Sequence, residues 1–169
     1  AMFEPNTLPT DNPPSPLIAA IAETESSGKE VTTESKTKPA ADLRAAWLAG
    51  QRRFGESYLQ EALEKMEQLA DLQIEWHFIG PIQSNKTRAI AEHFDWVHSV
   101  DRLKIARRLS EQRPPALSPL QVCLQVNISG EDTKSGVSLD ELPDLLQQVR
   151  SLPRLQVRGL MAIPEATDD

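Results

Sequence analysis

Val122-Cys123-Leu124-Gln125-Val126-Asn127-Ile128 is the stretch that decides the fold class, because it is the most convincing strand in the chain. Apolar residues at helical spacing follow it, at Leu142, Leu145, Leu146 and Val149. A second strand-like run then covers Gln156-Val157-Arg158-Gly159-Leu160-Met161-Ala162-Ile163. The order strand, helix, strand predicts two parallel strands joined by a crossover helix.

The same alternation extends toward the amino terminus. We expect helices over 40–49, 58–70 and 85–94 and a further helix capped by Asp101, with strands over 53–55, 75–80 and 96–100. Ser138 and Glu141 resemble a capping box, although Pro143 favours a helix start near Leu142. About six such β-α units predict a parallel sheet with crossover helices. A complete eight-unit barrel takes about 250 residues, so the pattern leaves open a doubly wound sheet or a barrel without its last quarter.

The composition of the 169 residues excludes several classes of protein. A single cysteine, Cys123, rules out an internal disulfide and a cysteine-based metal site, and it favours a reducing compartment, the cytoplasm. No run approaches the roughly 20 apolar residues of a membrane helix. The net charge of −7 disfavours nucleic acid as a partner. His77, His93 and His98 lack the spacing of metal ligands, so no metal is expected.

The charge is concentrated at the amino terminus. Residues 1–35 contain six acidic residues, one lysine and five prolines. Such a composition is typical of a flexible segment, so we expect residues 1–30 to form an acidic, proline-rich arm and residues 31–169 to form the domain.

The first candidate site is Ser35-Lys36-Thr37-Lys38-Pro39. On a strand, Lys36 and Lys38 would share one side, where each ammonium group would lower the pKa of the other. A partly neutral lysine can form a Schiff base with an aldehyde. Two solvated lysines in a loop are the alternative, and charge pairs more often belong to such loops.

Two further polar motifs follow predicted strands. The first is Ile79-Gly80-Pro81-Ile82-Gln83-Ser84-Asn85-Lys86, whose backbone N–H groups would suit an anion. The alternative is a strand end followed by a helix cap. Residues 127–136 place Lys134 among small polar residues, either in a functional loop or in an ordinary surface loop.

Taken together, the motifs resemble the pyridoxal 5′-phosphate homeostasis protein family over about Ser35 to Asp169. The resemblance rests on five segments, Ser35–Pro39, Phe54–Glu61, Trp76–Lys86, Lys134–Gly136 and Gly159–Pro164. It implies an alanine-racemase-like (β/α)8 TIM barrel, the type III pyridoxal-phosphate fold, here incomplete with about six units. It also implies a non-catalytic protein that binds pyridoxal 5′-phosphate as a Schiff base and keeps or delivers the cofactor.

The resemblance assigns roles to five residues. Lys36 matches the Schiff-base lysine, and Lys38 and Lys134 match lysines that handle or transfer the cofactor. Asn85 belongs to the segment that lines the barrel mouth, and Met161 ends the sixth strand. The implied partners are the cofactor itself and pyridoxal-phosphate-dependent apo-enzymes, with no nucleic acid and no membrane.

Departures from the family pattern limit these expectations. The first strand is polar, Val31-Thr32-Thr33-Glu34, and Ser57 stands where the family has asparagine. The family's phosphate-binding loops from the last two units are absent. We therefore expect weak cofactor binding unless the barrel is completed, and we expect self-association through exposed sheet edges.

Two alternative functions remain open, a racemase-like enzyme and a non-binding fragment. A racemase needs a second acid/base, and the only tyrosine is Tyr58.

Overall fold

A computed structural model describes residues 32–132 and 134–164. The expected acidic arm over residues 1–30 and the start of the expected first strand at Val31 lie outside the described residues. Within those two ranges, no helix combines the length and the apolar character needed to cross a membrane.

Strands and helices alternate along the described chain. Strands β1 to β6 are Thr33–Glu34, Arg53–Glu56, Glu75–Phe78, Trp96–Val100, Leu120–Gln125 and Leu155–Met161. Helices α1 to α5 are Ala40–Leu48, Leu59–Gln68, Thr87–His93, Leu103–Gln112 and Leu142–Arg150, and a 3-10 turn over Ser84–Lys86 precedes α3. The predicted alternation is therefore confirmed.

The order of the strands decides between the two folds that the sequence left open. All neighbouring strands are parallel, and their order in the sheet, β1-β2-β3-β4-β5-β6, is their order in the chain. A doubly wound sheet reverses its strand order at a switch point, whereas a barrel adds its strands in sequence. The fold is therefore an incomplete (β/α)8 barrel, and within the described residues β1 and β6 each pair with one neighbour only.

The two faces of the sheet have opposite character because side chains alternate along each strand. The face toward the helices is apolar and includes the buried residues Phe54, Trp76, Phe78, Val97 and Val122. The other face, which we call the lumen face, is polar. There Arg53 Nε lies 3.2 Å from Glu75 Oε1, and the ring of His77 stacks on that of Trp96 at a centroid distance of 5.3 Å.

Several local predictions need correction. Asp101 does not cap α4, because its Oδ1 accepts a hydrogen bond from Arg102 Nη1 at 3.1 Å and Arg102 takes the capping position. The helix predicted over 85–94 begins as the 3-10 turn and becomes α-helical only at Thr87. The strand predicted to reach Ile128 ends at Gln125.

The start of α5 follows the sequence prediction. The helix begins at Leu142, as Pro143 favoured, and the backbone N–H of Glu141 donates to Ser138 Oγ at 3.2 Å.

Cys123 is buried on β5, and burial raises the pKa of its thiol. The thiol therefore stays protonated and unreactive.

Candidate functional site

The turn after β1 carries Lys36 at the carboxyl end of the sheet. The backbone N–H of Ser35 donates to the carbonyl of Gly55 at 2.9 Å, so the pairing with β2 continues one residue beyond the strand. Ser35 is buried on the helix side, and strand alternation therefore puts Lys36 on the lumen side. The Lys36 side chain is half-buried, and its Nζ lies 5.3 Å from the centre of the Tyr58 ring.

The prediction that Lys36 and Lys38 share one side of a strand is wrong. The chain turns after Ser35, whose carbonyl accepts a hydrogen bond from the Lys38 N–H at 3.0 Å. Thr37 has a left-handed backbone conformation with φ of 61°. Lys38 emerges exposed beyond the turn, so strand spacing does not relate the two lysines.

A cluster of ionic side chains, which is buried except for the 30% exposed side chain of Glu61, lies beneath this turn. We call it the ion cluster, and it consists of Ser35, Glu56, Glu61 and Lys65. Lys65 Nζ donates to Glu56 Oε1 at 2.8 Å and to the carbonyl of Ser35 at 2.7 Å, and it lies 2.7 Å from Glu61 Oε1. The hydrogen bond with Lys65 holds the pKa of Glu61 below its usual range. Sequence reasoning missed the cluster, although the Glu61–Lys65 spacing of four residues on a predicted helix was a usable signal.

The second candidate motif, residues 79–86, begins directly after β3, where Gly80 lies against Ser57 at the end of β2. A Cβ atom on Gly80 would lie 2.4 Å from the carbonyl oxygen of Ser57, so only glycine permits this approach. Ser99 Oγ donates to the Gly80 carbonyl, which ties the same point to β4. The glycine in this motif therefore has a structural role, which is the close packing of three strand ends.

Asn85 lies in the 3-10 turn and is exposed. The neighbouring Ser84 carbonyl accepts hydrogen bonds from Thr87 Oγ1 at 3.0 Å and from Arg108 Nε at 3.0 Å. These contacts anchor the turn to α4 and leave Asn85 exposed at the surface. The anion site expected for this motif stays a prediction.

Asn127 organises the loop that carries Lys134. Its Nδ2 donates to the carbonyls of Glu131 at 2.7 Å and Lys134 at 3.3 Å, and its Oδ1 accepts from Ser129 Oγ at 2.9 Å. Gly136 has φ of 122°, and a Cβ atom there would lie 2.5 Å from the Asn127 nitrogen. Sequence reasoning noted this loop but missed the role of Asn127.

A cavity of about 300 Å³ opens at the carboxyl edge of the sheet. It is lined by Ile79, Pro81, Gln125, Val126, Asn127, Ile128, Lys134, Ser135 and Ile163. Its volume lies at the lower end of the range for small-molecule pockets. Met161 pairs with Gln125 in the sheet, and its carbonyl accepts the Val126 N–H at 2.8 Å, so it borders the same region.

The structure places Lys134 in the lining of this cavity and places Lys36 outside the lining, at the same edge of the sheet. Among the described residues, neither Lys36 nor Asn85 lines the cavity. Lys36 follows β1 and the cavity begins at Ile79 after β3, which is a separation of two strand spacings, about 10 Å.

Deeper in the lumen, Glu75, His77 and His98 form a hydrogen-bonded row. His77 Nε2 lies 2.8 Å from Glu75 Oε1, and His77 Nδ1 lies 2.7 Å from His98 Nε2. Burial lowers the pKa of His77 to about 4 and also lowers that of His98. A neutral His77 satisfies both contacts by donating to Glu75 and accepting from His98. In residues 32–132 and 134–164, no three His, Cys, Asp or Glu side chains are grouped as metal ligands would be.

Fold and site define a class of protein. The class consists of (β/α)8-type barrels with a lysine after the first strand and a cavity at the carboxyl edge of the sheet. Residues 34–169 match the family model described as alanine racemase, N-terminal domain.

The most specific matches are to curated relatives named pyridoxal phosphate homeostasis protein. The protein from Pseudomonas aeruginosa is 70% identical over 133 residues, which cover 79% of this chain and 58% of the relative. The protein from Escherichia coli K12 is 54% identical over 153 residues, which cover 88% of this chain and 65% of the relative. The chain belongs to the pyridoxal phosphate homeostasis protein family, and it spans about three fifths of the length of these relatives.

Solved structures agree with this assignment. PipY of Synechococcus elongatus, solved with PLP bound, has a TM-score of 0.80 and 38% identity, and the match covers 88% of this chain and 70% of PipY. Alanine racemase from Corynebacterium glutamicum has a TM-score of 0.63 at 17% identity, with 86% of this chain and 44% of the racemase covered. The racemase likeness concerns the fold alone.

Proposed function

We propose that this protein binds pyridoxal 5′-phosphate at the carboxyl edge of its barrel, with Lys36 as the covalent partner, and that it serves cofactor homeostasis. One observation carries the proposal: Lys36 follows the end of β1, and the cavity lined by Lys134 opens at the same carboxyl edge of the sheet. The family assignment and the PLP-bound PipY structure support it.

The chemistry suits a lysine in this position. When bound, the cofactor supplies an aldehyde and an anionic phosphate. Lys36 would hold the cofactor through its Nζ, because a lysine amine can condense with an aldehyde to form a C=N bond with release of water. Water would be able to hydrolyse such a C=N bond, so a linkage to Lys36 would allow both storage and release of the cofactor.

The remaining candidate residues have supporting roles in this proposal. Lys134 faces the cavity with a positive charge that favours the phosphate. Lys38, exposed beside the Lys36 turn, takes part in handing the cofactor over. Asn85 and Met161 border the mouth through which it enters.

We further propose that the cofactor passes to pyridoxal-phosphate-dependent apo-enzymes in the cytoplasm. A reducing compartment fits the single thiol of Cys123, which burial keeps protonated. Pull-down of a cofactor-free enzyme together with faster activation of that enzyme would support the transfer.

The position of Tyr58 supports binding without turnover. Racemisation uses an acid/base on each face of the cofactor. Lys36 Nζ lies 5.3 Å from the ring centre of Tyr58, the only tyrosine in the sequence, so these two groups contact each other with nothing held between them. Adding an L-amino acid to the loaded protein should remove the bound cofactor's absorbance without forming the D-enantiomer, and D-enantiomer at catalytic yield would favour an enzyme.

A titration tests the binding proposal directly. Wild type, Lys36→Ala and Lys104→Ala are titrated with pyridoxal 5′-phosphate, and the visible band of the protonated Schiff base is recorded. Lys104 is exposed on α4 and serves as the matched control. The band should saturate in wild type and Lys104→Ala and be lost in Lys36→Ala, whereas an unchanged band in Lys36→Ala would refute the proposal.

A further inference from the structure

The ion cluster satisfies the donors of Lys65 completely. An ammonium group has three N–H donors, and Lys65 Nζ has three oxygen partners within 2.8 Å, on Ser35, Glu56 and Glu61. The Lys65 side chain is only 5% exposed and that of Glu56 is fully buried. A lysine from α2 is therefore fixed beneath the ends of β1 and β2.

Each member of the cluster also holds the turn that carries Lys36. Ser35 Oγ donates to Glu56 Oε1 at 2.6 Å, and the Ser35 carbonyl accepts from Lys65. On the other side of Lys36, the backbone N–H of Thr37 donates to Glu61 Oε1 at 2.7 Å. The residues immediately before and after Lys36 are thus both anchored to one buried cluster, while the Lys36 side chain is not part of it.

A gain in folding stability does not explain why charged side chains occupy this buried position. Well-packed apolar side chains in place of a buried ion pair are often neutral or stabilising, because burying charges costs solvation energy. Glu56 Oε2 is buried with no hydrogen-bond partner among the described residues, which adds to that cost. The charged side chains hold the Ser35–Thr37 backbone in place, including the left-handed conformation of Thr37. Apolar side chains could not form these contacts.

We propose that Glu56, Glu61 and Lys65 are positioning residues that hold the Ser35–Thr37 turn so that the Lys36 amine projects into the barrel lumen. The inference rests on the proposed function of Lys36. It extends that proposal by identifying the residues that orient the Lys36 amine. None of the three residues touches the cofactor in this account. They act through the turn, and the Glu61 carboxylate in addition attracts the Lys36 ammonium directly.

Glu61 offers the most selective test because alanine and glutamine separate geometry from charge. Both Glu61→Ala and Glu61→Gln remove the negative charge, but only glutamine keeps an oxygen that can accept the Thr37 N–H. Glu64, exposed on the same helix, provides the control Glu64→Ala. Folding of each full-length variant is verified by circular dichroism and thermal melting.

Two readouts are measured, and one of them needs no cofactor. The first is hydrogen exchange of the Thr37 amide, which should accelerate in Glu61→Ala and stay near wild type in Glu61→Gln and Glu64→Ala. The second is the rate at which pyridoxal 5′-phosphate becomes trapped by borohydride on Lys36. It should fall about tenfold or more in Glu61→Ala, because small misplacements of a reacting group are costly.

The double variant Glu56→Gln with Lys65→Met tests the buried part of the cluster while conserving net charge. It should remain folded, and its trapping rate on Lys36 should fall while trapping on exposed Lys104 stays unchanged. A folded Glu61→Ala and a folded double variant that both trap at the wild-type rate would overturn the positioning role. Absence of any Lys36 adduct in wild type would instead overturn the proposed function and this inference together.

Discussion

The ammonium of Lys65 lies 2.8 Å from Oε1 of Glu56, and both side chains are buried between the sheet and helix α2. Removing one member of such a pair leaves an uncompensated buried charge, whereas removing both does not. The two residues therefore form a unit, and the consequences for stability differ between single and double substitution.

Lys65→Met should destabilise the protein by about 3–5 kcal/mol, because Glu56 then stays buried without its counter-charge. Glu56→Gln combined with Lys65→Met should cost much less than Lys65→Met alone. Urea unfolding of the three proteins measures both values. Equal losses in the single and double variants would show that the pair does not act as a unit.

Gly80→Ala should destabilise the protein by about 1–3 kcal/mol, because the new methyl group would lie 2.4 Å from the Ser57 carbonyl oxygen and force backbone to move. The control is Gly159→Ala on β6, where the added Cβ atom meets no described atom within 4 Å. Thermal unfolding should separate the two variants clearly. Similar melting temperatures would argue against the close approach at Gly80.

Stability should fall as the pH drops from about 6.5 toward 4, because burial lowers the pKa of His77 from 6.5 to about 4. In that window the unfolded chain binds the proton and the folded protein does not, so each such histidine contributes at most about 1.4 kcal/mol per pH unit. The contribution is fully present above pH 6.5.

Urea midpoints at pH 7, 6 and 5 test this dependence on His77. His77→Gln should reduce the slope of stability against pH, while His93→Gln, at an exposed position on α3, should keep the wild-type slope. An unchanged slope in His77→Gln would place the pH dependence elsewhere, for example on His98, whose pKa burial also lowers.

The free edges of β1 and β6 predict concentration-dependent self-association of this chain. In the described residues neither edge has a second partner, and the exposed Leu160 lies on β6. Unpaired strand edges recruit further strands. Sedimentation velocity should show larger species at higher protein concentration, and a compact, stable monomer at all concentrations would contradict the prediction.

The sequence predicted the repeating β-α order well because the spacing of apolar residues is a local signal. The run around Val122 and the helical spacing from Leu142 to Val149 each formed the expected element. The choice between an open sheet and a barrel needed the strand order, which is set by contacts between segments that are distant in the chain.

The candidate site was predictable only in part. Motif resemblance indicated Lys36 and Lys134, and the structure places the latter at the cavity. In our proposal the direction of Lys36 depends on the contact between Ser35 and Lys65, which are 30 residues apart in sequence, and no local pattern in the Ser35–Pro39 segment reveals that contact. At Asp101 a local pattern predicted the wrong contact. The residue type predicted a helix cap, but the Asp101 carboxylate accepts a hydrogen bond from Arg102 instead.

The central claim is that Lys36 is the residue that holds pyridoxal 5′-phosphate. The most direct measurement is to incubate the wild-type protein with the cofactor, reduce with borohydride and map the modified peptides by mass spectrometry. The account predicts one dominant adduct on Lys36. Adducts scattered over Lys86, Lys104 and other surface lysines, with no preference for Lys36, would contradict it.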